Sequence, residues 1–326
     1  MNVNVALNGC GRVGKALIEH WLRLDQMPNV VMIRRSDRQW RNDNGISRED
    51  LVRFLRDGHF PSDPLKDLNN VLQDCPIDVW FELTPTDLSQ AETVHRQMLR
   101  IIESGVSIVF ANKAPVVHDY IGLKRPADVA GVKLGLSGVM GASLPGFALG
   151  YYGAMGSTIV EMAGILNATT NFLLEEMEQG CNFQQAIDKA IELGIAEPKW
   201  SYDVDGIDSG VKMAILAGVL FDRNIALDQS NVRGIRDITP EQIRQKLVQG
   251  KRYKLVARYK DGQVRVGPEE FAADDMFYLI TGSQKILSIK TEEMSNMSVF
   301  NDRTGLAEVA ASLHRDLVWI KHELDG

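Results

Sequence analysis

ALNGCGRVG, residues 6–14, joins an apolar run, Val3 to Asn8, to a segment from Arg12 to Leu24 whose apolar residues recur with helical spacing. Its glycines fall as Gly9, Gly11 and Gly14, a G-x-G-x-x-G directly after a strand and at the start of a helix. In that context the glycines have separate roles. The first makes a tight turn, the second lets a pyrophosphate reach the backbone, and the third packs helix on strand. The helix N-terminus adds unpaired N–H groups and a positive dipole end. Gly9, Gly11, Arg12, Val13 and Gly14 are therefore candidate dinucleotide contacts.

Outward from this turn, strand-like and helical segments alternate. Further strands are expected at Asn29–Arg35, Ile77–Leu83, Val106–Ala111 and Val132–Ser137, with helices near Glu49–Leu55, Leu65–Leu72, Leu88–Glu103 and after Pro115. Such alternation predicts an α/β fold with a doubly wound, mostly parallel sheet. After Gly138 the pattern changes. The loop VMGASLPG leads into an expected amphipathic helix, a strand over Thr158–Ala168, and helices at Thr170–Glu178, Phe183–Leu193 and Ser209–Phe221. A helix at Thr239–Gln249, short strands at KLVARY, QVRVGP and KILSIKT, and an amphipathic last helix follow.

A chain of 326 residues is long enough for two domains. Its charged fraction of 24% and hydrophobic fraction of 44% are those of an ordinary globular protein. A net charge of −7 argues against nucleic-acid binding, and no apolar run approaches the roughly 18 residues of a membrane span. Neither a signal peptide nor a disulfide framework is expected, with three scattered cysteines pointing to a reducing cytoplasm. The histidines lack metal-ligand spacing, and those in polar helical patterns read as solvated.

Near the end of the second strand an NAD-binding fold usually offers an acidic residue to the ribose. Here the chain reads Ile33-Arg34-Arg35-Ser36-Asp37-Arg38. Arg34 and Arg35 suit a 2′-phosphate, which favours NADP, while Asp37 keeps NAD open. Thr84 beyond the third strand, Lys113 beyond the fourth and Gly305 at the last helix complete the cofactor candidates. Lys113 reads equally as an exposed loop lysine.

Lys212 is the one charge between Asp208 and Asp222, on an otherwise apolar helix. Asp208 lies one turn earlier, on the same face. A structural ion pair is one reading, but buried pairs are often no more stabilising than apolar substitutes, so an interior lysine invites a functional one.

Together ALNGCGRVG, FANKAP, MGASLP, GILNATTNFLLEEME, ELGIAEPKWSYDVDGIDSGVKMAILA and GLAEVAASLHRDL resemble the homoserine dehydrogenase family over nearly the whole chain. The resemblance implies reversible conversion of aspartate 4-semialdehyde to homoserine with NAD(P)H, in the branch toward threonine and methionine. It implies a nucleotide domain over residues 1–137 completed by the helix 305–326, and a catalytic and dimerisation domain over 138–304. A homodimer of the short form, without a regulatory domain, is expected. Carried across, Lys113 and Lys212 match the two lysines near the reacting carbon, Asp208 the carboxylate that orients Lys212, and Glu197 the acid that holds the substrate's amino group. Asp203 and Thr169 join the substrate-binding set. The pattern departs at Ala168, where the family has glycine, and at Leu136-Ser137-Gly138, which removes a glutamate that holds a monovalent cation in some members. It also departs at Asn301 to Gly305 and at Pro198 to Tyr202. These departures leave open a related semialdehyde or carbonyl substrate, or a non-catalytic NADP-binding protein.

Overall fold

The computed structural model describes residues 3–61, 63–196 and 200–325. Two compact units emerge, Met1–Ser143 with Leu306–Gly326, and Leu144–Gly305.

In chain order, the first unit contains β1 (Asn4–Asn8), α1 (Arg12–Leu22), β2 (Asn29–Arg34), β3 (Arg38–Arg41), α2 (Arg48–Asp57), β4 (Asp63–Pro64) and α3 (Leu68–Asp74). It continues through β5 (Val79–Glu82), α4 (Ala91–Glu103), β6 (Ser107–Phe110), α5 (Ala114–His118), α6 (Tyr120–Ala130) and β7 (Leu134–Gly135). Among the described residues its sheet runs β4-β3-β2-β1-β5-β6-β7. From β2 to β7 the pairing is parallel, and β3 and β4 add an antiparallel edge. This is a Rossmann-type sheet.

Helix α1 buries Gly14, Leu17, Ile18 and Trp21, an i, i+3, i+4, i+7 stripe. Trp21 meets Phe81 edge to face, with ring centroids 5.3 Å apart. Into the same core the last helix contributes Ala310, Leu313, Leu317 and Ile320, all fully buried.

The second unit holds α7 (Gly146–Ala148), β8 (Ile159–Ile165), α8 (Ala168–Glu178), α9 (Phe183–Glu192), α10 (Ser201–Val204), α11 (Ile207–Leu220) and α12 (Pro240–Val248). Next come β9 (Lys251–Lys260), β10 (Gln263–Ala272), β11 (Lys285–Thr291) and β12 (Asn296–Asn301), before the chain returns as α13 (Leu306–Asp325). Its sheet is antiparallel, in the order β10-β9-β8-β11-β12. Asp261 and Gly262, both at positive φ, make the two-residue turn that sets the β9–β10 register.

Four expectations are corrected. The strand over Val132–Ser137 shrinks to Leu134–Gly135, because Ser137 N donates to Asp316 and the backbone turns into a 3₁₀ segment. The amphipathic helix after Pro145 is a short α-turn followed by a wider turn, Leu149–Gly153, where Gly150 lets Leu220 approach. KLVARY and QVRVGP belong to ten-residue strands rather than short ones. His95 is buried, with its Nε2 3.1 Å from the Asp119 carbonyl.

Asp316 ties α13 to the strand ends of the first unit. It accepts from Ser137 N at 2.8 Å and Ser137 Oγ at 2.5 Å, yet burial pushes its carboxyl up to about 6. A carboxyl raised above its unfolded value of about 3.9 stabilises the fold fully below that value, and the contribution is lost as pH rises through about 6. In urea unfolding, the stability of the wild type relative to Asp316→Asn should fall by about 3 kcal/mol between acidic and neutral pH. A difference that does not change with pH would contradict a raised Asp316.

Candidate active site

At the carboxyl edge of the parallel sheet, β1 ends in the glycine turn. Gly9 has φ +98°, and a Cβ there would sit 2.8 Å from the Leu83 carbonyl carbon, so this position requires glycine. Gly14 is equally constrained, its absent Cβ falling 2.9 Å from Gly9 O. Gly11 differs, because a Cβ there would meet no protein atom within 4 Å. It caps α1 without a side-chain hydrogen bond, and the first turn carries no acid. Two glycines thus serve packing, while the third leaves backbone open at the start of α1, the arrangement that receives a pyrophosphate. Arg12 is exposed and Val13 half-buried beside it.

The two arginines after β2 part company. Arg34 is buried, donates to Lys66 O at 2.9 Å and lies 5.6 Å from the centre of the Trp80 ring, so its guanidinium is engaged inside the unit. Arg35 stays half-buried, its guanidinium 4.6 and 5.3 Å from the centres of the Phe60 and Phe54 rings. Its charge reaches the glycine turn. Burial pushes the Cys10 thiol up to about 11, against the pull of Arg35 and Lys15.

Beside the turn, Glu82 is fully buried at the end of β5. It accepts from Asn8 Nδ2 at 2.7 Å, Trp80 Nε1 at 3.3 Å and the Thr84 hydroxyl. Thr84 Oγ1 in turn accepts from Asn112 Nδ2 at 2.9 Å, and Asn112 Oδ1 holds Ala114 N, fixing the start of α5. Lys113, between them, donates its backbone N–H to Thr86 Oγ1 at 3.2 Å. Chain spacing gave no sign of this network.

In the second unit, α11 is buried along nearly its whole length, and Lys212 within it is partly buried, its side chain 12% exposed. Its Nζ donates to Asp208 Oδ2 at 2.5 Å and to Leu166 O at 3.0 Å. Asp208 Oδ2 also accepts from Asn167 Nδ2 at 2.8 Å, and the same amide reaches Asp203 Oδ1 at 2.7 Å. Asn167 further caps α8 through Oδ1 to Thr170 N at 2.9 Å. Thr169 Oγ1 donates to Asp203 Oδ2 at 3.2 Å. Burial, then the neighbouring Asp208, pushes the Asp203 carboxyl above the usual range.

This unit therefore brings together Thr169, Asp203, Asp208 and Lys212. Glu197 lies outside the described residues. Gly305 is exposed, immediately before α13, after a turn in which Asn301 Nδ2 bonds Arg303 O at 2.7 Å and Thr304 Oγ1 at 3.0 Å. The residue that sequence reasoning did not assign is Asn167, which joins both carboxylates. An asparagine just past a strand and ahead of a helical run is an N-cap signal, and that is the sign it carried.

Among the described residues no group of three His, Cys, Asp or Glu is arranged to hold a metal ion. Ser137, where the resemblance expects a cation-holding glutamate, has its hydroxyl committed to Asp316, and Ala142 O accepts from Arg315 at 3.2 Å. These partners do not fit a cation, and no step below uses one. Among the described residues no helix is long and apolar enough to cross a membrane.

A dinucleotide-type glycine turn in one unit and a buried carboxylate–lysine pair in the other define a nucleotide-dependent oxidoreductase. The homoserine dehydrogenase family model matches residues 147–318. The homoserine dehydrogenase of Methanocaldococcus jannaschii is 30% identical over 252 residues, covering 77% of this chain and 75% of that protein. An NAD(+)-dependent homoserine dehydrogenase of Pseudomonas canavaninivorans is 28% identical over 289 residues, covering 86% and 82%. A hyperthermophilic archaeal homoserine dehydrogenase in complex with NADPH matches in fold with a TM-score of 0.82 at 22% identity, over 99% of this chain and 98% of that one. The chain belongs to the homoserine dehydrogenase family.

Replacing Gly11 by alanine adds a methyl group to open space. Gly11→Ala should therefore leave the urea midpoint unchanged while weakening NADPH binding at least ~10-fold, about 1.4 kcal/mol, in a fluorescence titration. Unchanged affinity would remove the turn from the nucleotide site.

Proposed function

We propose that this protein interconverts L-homoserine and L-aspartate 4-semialdehyde with NADP(H), NAD(H) being the weaker alternative. The observation that carries the reading is the Lys212–Asp208 pair, an ammonium fixed inside an apolar helix by a carboxylate and a backbone carbonyl. A lysine ammonium has three N–H donors. Among the described residues two are assigned, to Asp208 and Leu166, and a ligand oxygen would take the third.

When bound, the nicotinamide supplies or accepts the hydride. In reduction, negative charge builds on the aldehyde oxygen, and Lys212 stabilises it and donates a proton there. In oxidation the same proton transfer runs in reverse, the hydroxyl proton passing to Lys212 Nζ. Asp208 orients the ammonium, and Asn167 fixes Asp208. Lys113 is the second lysine of the reaction, and Glu197 takes the substrate's ammonium, both by resemblance. Gly9, Gly11, Arg12, Val13, Gly14, Thr84 and Gly305 hold the nucleotide. Arg35, braced on two aromatic rings, takes the 2′-phosphate. The unit Met1–Ser143 with Leu306–Gly326 is the nucleotide domain, and Leu144–Gly305 the catalytic and dimerisation domain of a cytoplasmic homodimer. The pathway is threonine and methionine biosynthesis.

The direct test is nicotinamide absorbance on adding L-homoserine, with NADP⁺ and NAD⁺ in parallel against other small amino alcohols. Selective, NADP-preferring oxidation is expected, and a folded, NADP-binding chain without homoserine turnover overturns the reading. Lys212→Ala should lower turnover at least ~100-fold while NADPH binding is retained. Turnover equal to wild type would exclude Lys212 from the chemistry. Arg35→Asp should shift the kcat/KM ratio from NADP⁺ toward NAD⁺ by at least ~10-fold, since about 1.4 kcal/mol of lost phosphate attraction suffices. A constant ratio would reject Arg35 as the phosphate contact.

A further inference from the structure

Tyr202 stands on α10, next to Asp203, and its hydroxyl is shielded from solvent with no hydrogen-bond partner. The other such side-chain atoms among the described residues are Arg34 Nε, Ser209 Oγ and Arg252 Nε. Arg34 and Arg252 are engaged elsewhere, with Lys66 O and with Glu178. Ser209 is fully buried within α11. Tyr202 alone of the four lies on the one-turn helix that presents a site carboxylate. A buried hydroxyl left unpaired bears its full desolvation penalty, so native proteins pair nearly all such groups. An orphan hydroxyl next in the chain to a candidate substrate-binding carboxylate is a group that a ligand can complete.

The surrounding charge selects the ligand group. Burial, then the charges of Asp208 and Asp203, hold the proton on the phenol, so the group is neutral. Asp208 is balanced by Lys212. Asp203 accepts from the neutral donors Asn167 and Thr169, and both carboxylates act on the phenol as negative charges. That field repels an anion and attracts a cation.

We propose that Tyr202 is a specificity-determining residue whose hydroxyl oxygen accepts a hydrogen bond from the α-ammonium group of the amino-acid substrate. The assignment rests on the homoserine reading above and adds a contact that reports the amino group. The carboxylates supply attraction, and the phenol supplies direction.

The test compares wild type and Tyr202→Phe with L-homoserine and with 4-hydroxybutyrate, the analogue without the amino group, used as substrate or competitive inhibitor. For Tyr202→Phe the KM for homoserine should rise ~10-fold or more, as expected for a hydrogen bond to a charged group. Turnover at saturation should stay within ~3-fold, and NADPH affinity and the binding of 4-hydroxybutyrate should not change. Unfolding stability should be equal or higher, because an unpaired buried hydroxyl is removed. An unchanged homoserine KM in an active background overturns the proposal, as does an equal loss for both ligands. A wild-type chain that does not oxidise homoserine overturns the functional reading itself, and is recognised before the variant is measured.

Discussion

A cation held inside an apolar helix constrains the second unit more than any other interaction. Moving an ammonium out of water is costly unless a counter-charge and further hydrogen bonds receive it. Lys212 has both, from Asp208 one turn back and from the carbonyl of Leu166 at the end of β8. Those two partners tie α11 to the sheet. Asn167, the next residue after Leu166, closes the arrangement by bonding both carboxylates and capping α8. Strand end, two helices and α10 are therefore set by a single polar cluster, and loss of one member would leave the rest with unpaired buried charge.

The nucleotide unit rests on a different kind of constraint, the exclusion of atoms. At Gly9 and Gly14 a methyl group would collide with backbone, and those glycines fix how closely β1, α1 and the end of β5 approach. Gly11 meets nothing, and its openness has no structural purpose within the unit. One motif thus contains packing positions and an open one, and only the open one points to a ligand.

Much of this was legible in the sequence because it is local. The G-x-G-x-x-G turn, the alternation around it and the i,i+4 spacing of Asp208 and Lys212 are read from residues close in the chain. The β9–β10 hairpin was half legible, its two strands expected but their length concealed by the polar residues at both ends. What escaped depends on distant partners. Arg34 and Arg35 are identical in sequence terms, yet one is drawn onto Trp80 and Lys66 while its neighbour rests on Phe54 and Phe60. Glu82 gave no hint of the donors gathered around it. Ser137 left the expected strand because a carboxylate far along the chain, Asp316, claims its N–H. Glu197, central to the substrate assignment, lies among residues the structure does not describe.

The first unit is assembled from the two ends of the described chain, with the second inserted between them. Its core contains Leu313, Leu317 and Ile320 from α13 beside Leu17, Ile18 and Trp21 from α1. During synthesis the earlier strands and helices must therefore wait, with an apolar face uncovered, until the last helix has left the ribosome. The inserted unit is continuous and has no such delay. The contacts of the middle close within one stretch of chain, whereas those of the beginning close only with α13.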